Sequence, residues 1–234
     1  STSKTPSYTK SVSWQHHRTL LLVAATAHAG VIINGTRLVY QGDKKESSLG
    51  LSNPDATDYL VQSWVDSGGK NLAKAPFLIT PPLFRLDAKE DNVLRVVRTG
   101  GNLPEDRESL YWLNIKAIPS SKQVEGVNTL QIAINTRIKL LYRPSAVKGR
   151  PEDVADKLEW RREGNELVVN NPTPFYMNFQ AVTLNGQKVT KATWAVPKTE
   201  THFAIPGNVR GSNVTYSIIT DYGSISHTWS KSVH

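Results

Sequence analysis

No stretch of this chain carries a helical period. Short runs rich in Val, Ile, Leu, Tyr and Trp recur instead, interspersed with clusters that favour turns. The runs include Thr36–Tyr40, Tyr59–Val65, Val93–Val97, Leu110–Ile115 and Leu130–Tyr142. The clusters include Gln41-Gly42-Asp43, Ser52-Asn53-Pro54-Asp55, Asp66-Ser67-Gly68-Gly69 and Gly100-Gly101-Asn102. Gly, Pro, Asn and Asp each bend the backbone for a separate physical reason, so these clusters are chain reversals and the runs between them are strands. The style continues through Glu166–Asn170, Phe175–Phe179 and Thr201–Ile205, with Asn185-Gly186 as a two-residue hairpin signal. Short strands closed by turns predict an all-β chain of antiparallel sandwiches.

The strand pattern breaks at Arg143-Pro144 and again at Lys148-Gly149-Arg150-Pro151-Glu152-Asp153, where two prolines meet a charge cluster. That break divides the chain into residues 30–144 and 145–234, each near the size of one immunoglobulin-like sandwich. A brief helix over Pro151–Leu158 is expected, because Glu152 and Asp153 complement a helix N-terminus.

The first 29 residues read differently. Ser1–Arg18 is polar and carries Lys4, Lys10 and Arg18 without an acidic residue, and the apolar run Leu20–Ala25 follows. Ala27-His28-Ala29 then places small residues where a signal peptidase would cut. The layout is that of a secretory signal, and its apolar core is far shorter than the roughly 20 residues of a membrane span. Removal of this segment takes three of the cations behind the net charge of +8 and three of the six histidines. The exported remainder is mildly basic, with its charges dispersed, which removes the case for nucleic-acid binding. The sequence holds no cysteine, so disulfides, thiolate metal sites, iron–sulfur clusters and thiol nucleophiles are excluded.

In Leu130–Tyr142, Leu130, Ile132 and Ile134 alternate with polar or small residues and share one face of an extended strand. By pattern alone that face packs into its own sandwich. The run is longer than the usual five or six residues, however, which allows part of it to overhang its sheet. Lys139, an odd number of positions after Ile134, points to the opposite face of an unbroken strand.

Two segments, Leu103-Pro104-Glu105-Asp106-Arg107-Glu108-Ser109-Leu110-Tyr111-Trp112-Leu113-Asn114-Ile115-Lys116-Ala117-Ile118-Pro119 and Ile138-Lys139-Leu140-Leu141-Tyr142-Arg143-Pro144, closely resemble the signature of the periplasmic pilus chaperones of the chaperone–usher pathway. Thr36–Tyr40, Pro81-Pro82-Leu83-Phe84-Arg85, Asn171-Pro172-Thr173-Pro174-Phe175 and Asp221-Tyr222-Gly223 agree with it. The resemblance implies two immunoglobulin-like β-sandwich domains in an L-shaped, boomerang arrangement with a cleft between them. It implies that Arg37 and Lys139 grip the C-terminal carboxylate of a pilus subunit in that cleft. Leu130, Ile132 and Ile134 would then lie on the strand donated to the subunit's incomplete immunoglobulin-like groove. Glu108, Arg143 and Asp221 match an inter-domain ion network. Ser120–Thr129 is short, as in the short-loop branch of the family. The implied partners are fimbrial subunits and an outer-membrane usher, and the implied compartment is the periplasm. The aliphatic strand edge, exposed in free chaperone, is also compatible with a self-capping dimer.

The rival readings are weaker. Neither a Gly-x-Ser-x-Gly elbow, a His-Glu-x-x-His helix nor a phosphate-cradling loop occurs, and His202, His227 and His234 have no site-like spacing. The expectation is therefore a binding protein without catalytic residues, metal or cofactor, and without membrane insertion. A secreted β-sandwich adhesion or carbohydrate-binding module is the alternative, but it has no use for Arg37, Lys139 and an aliphatic donor strand together.

Overall fold

The computed structural model describes residues 30–69, 75–120 and 132–234. The expected signal segment, residues 1–29, and Leu130 of the expected donor strand lie outside the described residues. The described chain is almost wholly β. Its first part contains β1 (Ile32–Ile33), β2 (Arg37–Gln41), β3 (Ser47–Ser52), β4 (Tyr59–Asp66), β5 (Phe77–Thr80), β6 (Leu83–Leu86), β7 (Asp91–Arg98), β8 (Ser109–Pro119) and β9 (Ile134–Arg143). A four-stranded sheet runs β1-β3-β7-β5 and a five-stranded sheet runs β2-β9-β8-β4-β6. Leu49, Leu51, Leu94 and Val96 of the first sheet meet Leu38, Val61, Leu113, Ile115 and Leu140 of the second in one core. Tyr40, Phe77 and Tyr142 close one end of that core as a ring cluster.

After β9 comes one turn of helix, α1 (Pro151–Val154), continued by a 3-10 turn to Lys157. Pro151 starts it, and Glu152 and Asp153 occupy its first turn, as the sequence predicts. A second sandwich follows, built from β10 (Glu159–Glu163), β11 (Glu166–Asn171), β12 (Met177–Leu184), β13 (Gln187–Lys188), β14 (Trp194–Ala195), β15 (Thr199–Ala204), β16 (Asn213–Ile218) and β17 (Trp229–Ser232). One sheet is β10-β11-β15; the other runs β13-β12-β16-β17, with β14 also paired to β12. Trp160, Leu167 and Phe203 face Phe179, Leu184, Val214 and Tyr216 across the second core. Asn185 and Gly186 turn the β12–β13 hairpin with positive φ at both residues, the geometry the Asn-Gly pair favours.

The run Phe175–Phe179 becomes strand only from Met177. Upstream, Asn171 Nδ2 donates to the Phe175 carbonyl at 2.7 Å, while its Oδ1 accepts from the Thr173 N–H and hydroxyl. This side-chain bridge, with Pro172 and Pro174, holds a turn in place of a strand start and still buries Phe175 in the core.

β9 behaves as two strands in one. Ile138, Leu140 and Tyr142 belong to the first core, whereas Ile134 and the preceding Ile132 are 42% and 61% exposed. β8 pairs with β9 along its whole length, from Ile134 to Tyr142. On the other side β2 covers only Lys139–Arg143. Residues 134–138 therefore carry an unpaired edge on the β2 side among the described strands, and the alternating face that begins in solvent at Ile132 enters the core only at Ile138.

Candidate functional site

The parallel pairing of β2 with β9 places Arg37 directly opposite Lys139. The two cations, far apart in sequence, become neighbours in register at the point where the free edge of β9 begins. Arg37 is half-buried, and its Nε and Nη1 are buried without a hydrogen-bond partner among the described residues. Burial lowers the Arg37 pKa from its ordinary value, with Asp221 pulling the other way. Burial, and then the adjacent Arg37 charge, pushes Lys139 down to about 8. Two cations crowded together, one with unpaired buried donors, form a site short of an anion.

The second sandwich completes the site. Lys139 Nζ donates to Asn178 Oδ1 at 2.6 Å and lies 4.4 Å from the centroid of the Trp194 ring. Trp194 meets Trp112 edge-on at 6.0 Å, and the Arg137 guanidinium covers Trp112 at 4.5 Å. Asp66 holds Arg137 and Asn114, each at 2.6 Å. Burial alone would raise Asp66, but hydrogen bonds from Asn114, Arg137 and the Gly68 N–H hold it below the usual carboxylate range. Arg137, the next cation along β9, is thus already paired, while Arg37 and Lys139 have no carboxylate salt-bridge partner among the described residues.

Glu108, Arg143 and Asp221, the three residues the resemblance groups as an ion network, lie together, with both carboxylates within hydrogen-bond reach of Arg143. Arg143 donates from Nε to Glu108 Oε2 at 3.0 Å and through a two-pronged contact to Asp221 at 2.8 and 2.9 Å. Glu108 Oε1 accepts the Tyr176 N–H at 2.8 Å. Glu108 and Arg143 belong to the first sandwich, and Asp221 and Tyr176 to the second, so the network bolts the two together. Gly223 makes this close approach feasible: its φ is +80°, and a Cβ there would lie 2.7 Å from Thr36 Oγ1. Burial pushes the Glu108 carboxyl up to about 7, against the pull of Arg143.

Of the residues singled out from sequence, Arg37 and Lys139 come together, Glu108, Arg143 and Asp221 come together, and Ile132 and Ile134 lie exposed at the free edge. Sequence reading missed Asn178, Trp194, Trp112, Arg137, Asp66 and Asn114. Asn178 offered one faint signal, a polar residue between the buried Met177 and Phe179. Trp194 lies on the two-residue strand β14, too short to show any alternation, and gave none.

Comparisons with known proteins agree along nearly the whole described chain. A family model for the pili and flagellar-assembly chaperone PapD N-terminal domain matches residues 30–148, and one for the pili assembly chaperone PapD C-terminal domain matches residues 153–230. The chaperone protein LpfB of Salmonella typhimurium is 43% identical over 210 residues, 88% of this chain and 90% of that protein. The chaperone protein FimC of Escherichia coli K12 is 41% identical over 210 residues, 88% of this chain and 85% of that one. A chain from the solved complex of the Salmonella enterica SafA pilin with the SafB chaperone superposes with a TM-score of 0.80 at 41% identity, covering 89% of this chain and 98% of that one. Among the described residues no helix is long and apolar enough to cross a membrane, and no cluster of His, Asp and Glu could hold a metal ion.

Proposed function

Since the chain belongs to the family of pilus-assembly chaperones, we propose that it captures fimbrial subunits in the periplasm, with Arg37 and Lys139 binding the subunit's C-terminal carboxylate and β9 lending it a strand. The observation that carries this reading is the Arg37–Lys139 pair, with buried unpaired guanidinium nitrogens, at the end of the unpaired edge of β9. A carboxylate seated there receives the planar guanidinium donors together with the ammonium charge. A subunit strand that ends at Lys139 and lies along residues 132–138 must run in the same direction as β9, parallel to it, as β2 does further on. Its backbone pairs the free edge, and Ile132 and Ile134 enter the groove where the subunit lacks a strand of its own. Each aliphatic side chain contributes on the order of 1.5–3 kcal/mol when fully covered. The anchored carboxylate fixes register, because a slip by one residue would turn polar side chains into the groove. No bond is made or broken, so the protein acts without catalysis or cofactor. Residues 30–144 and 145–234 serve as the two chaperone domains, and the subunit passes from them to an outer-membrane usher.

Capture of a subunit with a free C-terminal carboxylate, compared with the same subunit extended at that terminus, tests this directly. Extension is expected to eliminate co-purification, whereas equal recovery would refute carboxylate anchoring. Two quantitative expectations accompany it. Ile132→Ala removes most of one inserted side chain and is expected to speed dissociation of the complex about tenfold, measured by exchange against labelled subunit. An unchanged rate would exclude donation by this face. The second concerns pH. A carboxylate with an ordinary pKa near 3.5 is ionised throughout the neutral range, and it binds the protonated form of Lys139. Affinity is therefore full below pH 8 and falls by up to tenfold per unit above it, because free protein must take up a proton to bind. Titrating affinity from pH 6.5 to 9.5 should show this slope, and Lys139→Arg should flatten it. A flat wild-type profile would show that the ammonium is not part of the anchor.

A further inference from the structure

Lys139 rises from the first sandwich, yet its ammonium is held by the second. Asn178 and Trp194 are a cross-strand pair, opposite each other where β14 joins β12. Asn178 is 3% exposed, and its Oδ1 accepts one ammonium proton at 2.6 Å. The Trp194 ring supports the ammonium from another side at 4.4 Å. Trp112, opposite Lys139 on β8, buttresses Trp194 edge-to-face at 6.0 Å. One cross-strand pair of the second sandwich thus cradles one member of a cross-strand pair of the first.

Resting on the reading of Arg37 and Lys139 as the carboxylate anchor, we propose that Asn178 and Trp194 are positioning residues that hold the Lys139 ammonium beside Arg37, so that subunit capture depends on the second sandwich being docked. A lysine next to an arginine is repelled by it, and a four-carbon stem lets the head swing out to water. The cradle opposes that swing with neutral groups. An amide oxygen takes one of three N–H donors without neutralising the charge, and an indole face attracts the cation while taking no conventional hydrogen bond. The ammonium keeps its charge and two donors for the incoming carboxylate. A carboxylate at position 178 would do the opposite, pairing with Lys139 and competing with the ligand.

The experiment uses the full chain and a fluorescent peptide of alternating valine and threonine, in two forms that end in a free carboxylate or an amide. Trp194→Leu is expected to weaken the acid peptide about tenfold and leave the amide unaffected, and Trp194→Phe to recover most of that loss. Asn178→Asp should also weaken the acid peptide selectively. In a Lys139→Met background, Trp194→Leu should cause no further loss, a non-additivity that a packing role would not produce. Equal losses for acid and amide, or an undiminished effect of Trp194→Leu on top of Lys139→Met, would overturn the positioning role while leaving the anchor intact. Undiminished acid-peptide binding by Arg37→Ala and Lys139→Met themselves would instead remove the anchor, and the proposal with it. Should Trp194→Leu unfold the chain, Trp194→Phe and Asn178→Asp carry the same comparison.

Discussion

Arg37→Ala or Lys139→Ala will abolish recovery of a co-produced fimbrial subunit and leave the free protein folded. Truncating one side of a desolvated, hydrogen-bonded charge contact costs about 2–5 kcal/mol of binding, a loss of roughly thirtyfold to several thousandfold. The free protein is spared because neither cation sustains the fold. Arg37 has two buried nitrogens without partners, so its removal breaks no hydrogen bond at Nε or Nη1 and relieves a desolvated charge. Its thermal midpoint should equal or exceed that of the parent. Lys139→Ala loses one neutral acceptor, Asn178, and one ring contact, at a modest cost. Co-purification read beside thermal unfolding decides the matter: variants that capture subunit as well as the parent, or that fail because they no longer fold, would each defeat the carboxylate-anchor mechanism.

The strands carrying these cations were legible in the sequence, whereas their neighbourhood was not. β2, β4, β7 and β8 emerge from apolar runs closed by turn clusters, and α1 from Pro151 with two acidic residues behind it. That information is local. The adjacency of Arg37 and Lys139 comes from a parallel pairing between distant segments, which no alternation pattern encodes; it was accessible only through resemblance to the pilus chaperones. In β9 the same apolar alternation performs two tasks, since Ile138 and Leu140 enter the core while Ile132 and Ile134 remain exposed. Pattern alone assigned the whole face to the core, because nothing local marks where β2 stops covering it. Only beyond Lys139 is the alternation lost, because Leu140–Arg143 is buried on both faces. Asn178 and Trp194 escaped notice for a related reason. Their role depends on a side chain from the other domain, and each alone resembles an ordinary strand or loop residue.

The proposed anchor and the inter-domain ion network share parts, which makes their coupling testable. Arg143 lies four residues after Lys139 on the same strand face, and Asp221 both grips Arg143 and influences Arg37. Desolvation makes such a network a poor source of fold stability compared with apolar packing, yet breaking it is expensive, because the partner left behind is a buried charge. Arg143→Met keeps approximate volume and strands Glu108, which is 2% exposed. The expected loss is about 3–5 kcal/mol near neutral pH. The sign of its pH dependence follows from Glu108. Its folded pKa, about 7, is raised above the ordinary 4.5, so its stabilising contribution is complete below about 4.5 and is lost as pH rises through 7. Arg143 opposes that rise, so its removal carries the carboxyl higher still. Arg143→Met should then be penalised more at pH 8 than at pH 5, where Glu108 protonates and sheds its charge. Urea unfolding at both pH values gives the comparison, and Arg143→Met/Glu108→Gln should recover much of the loss at pH 8 by removing the stranded charge. A penalty equal at both pH values, or below about 1 kcal/mol at pH 8, would mean that the Glu108–Arg143 contact is screened by water and does not hold the two sandwiches together.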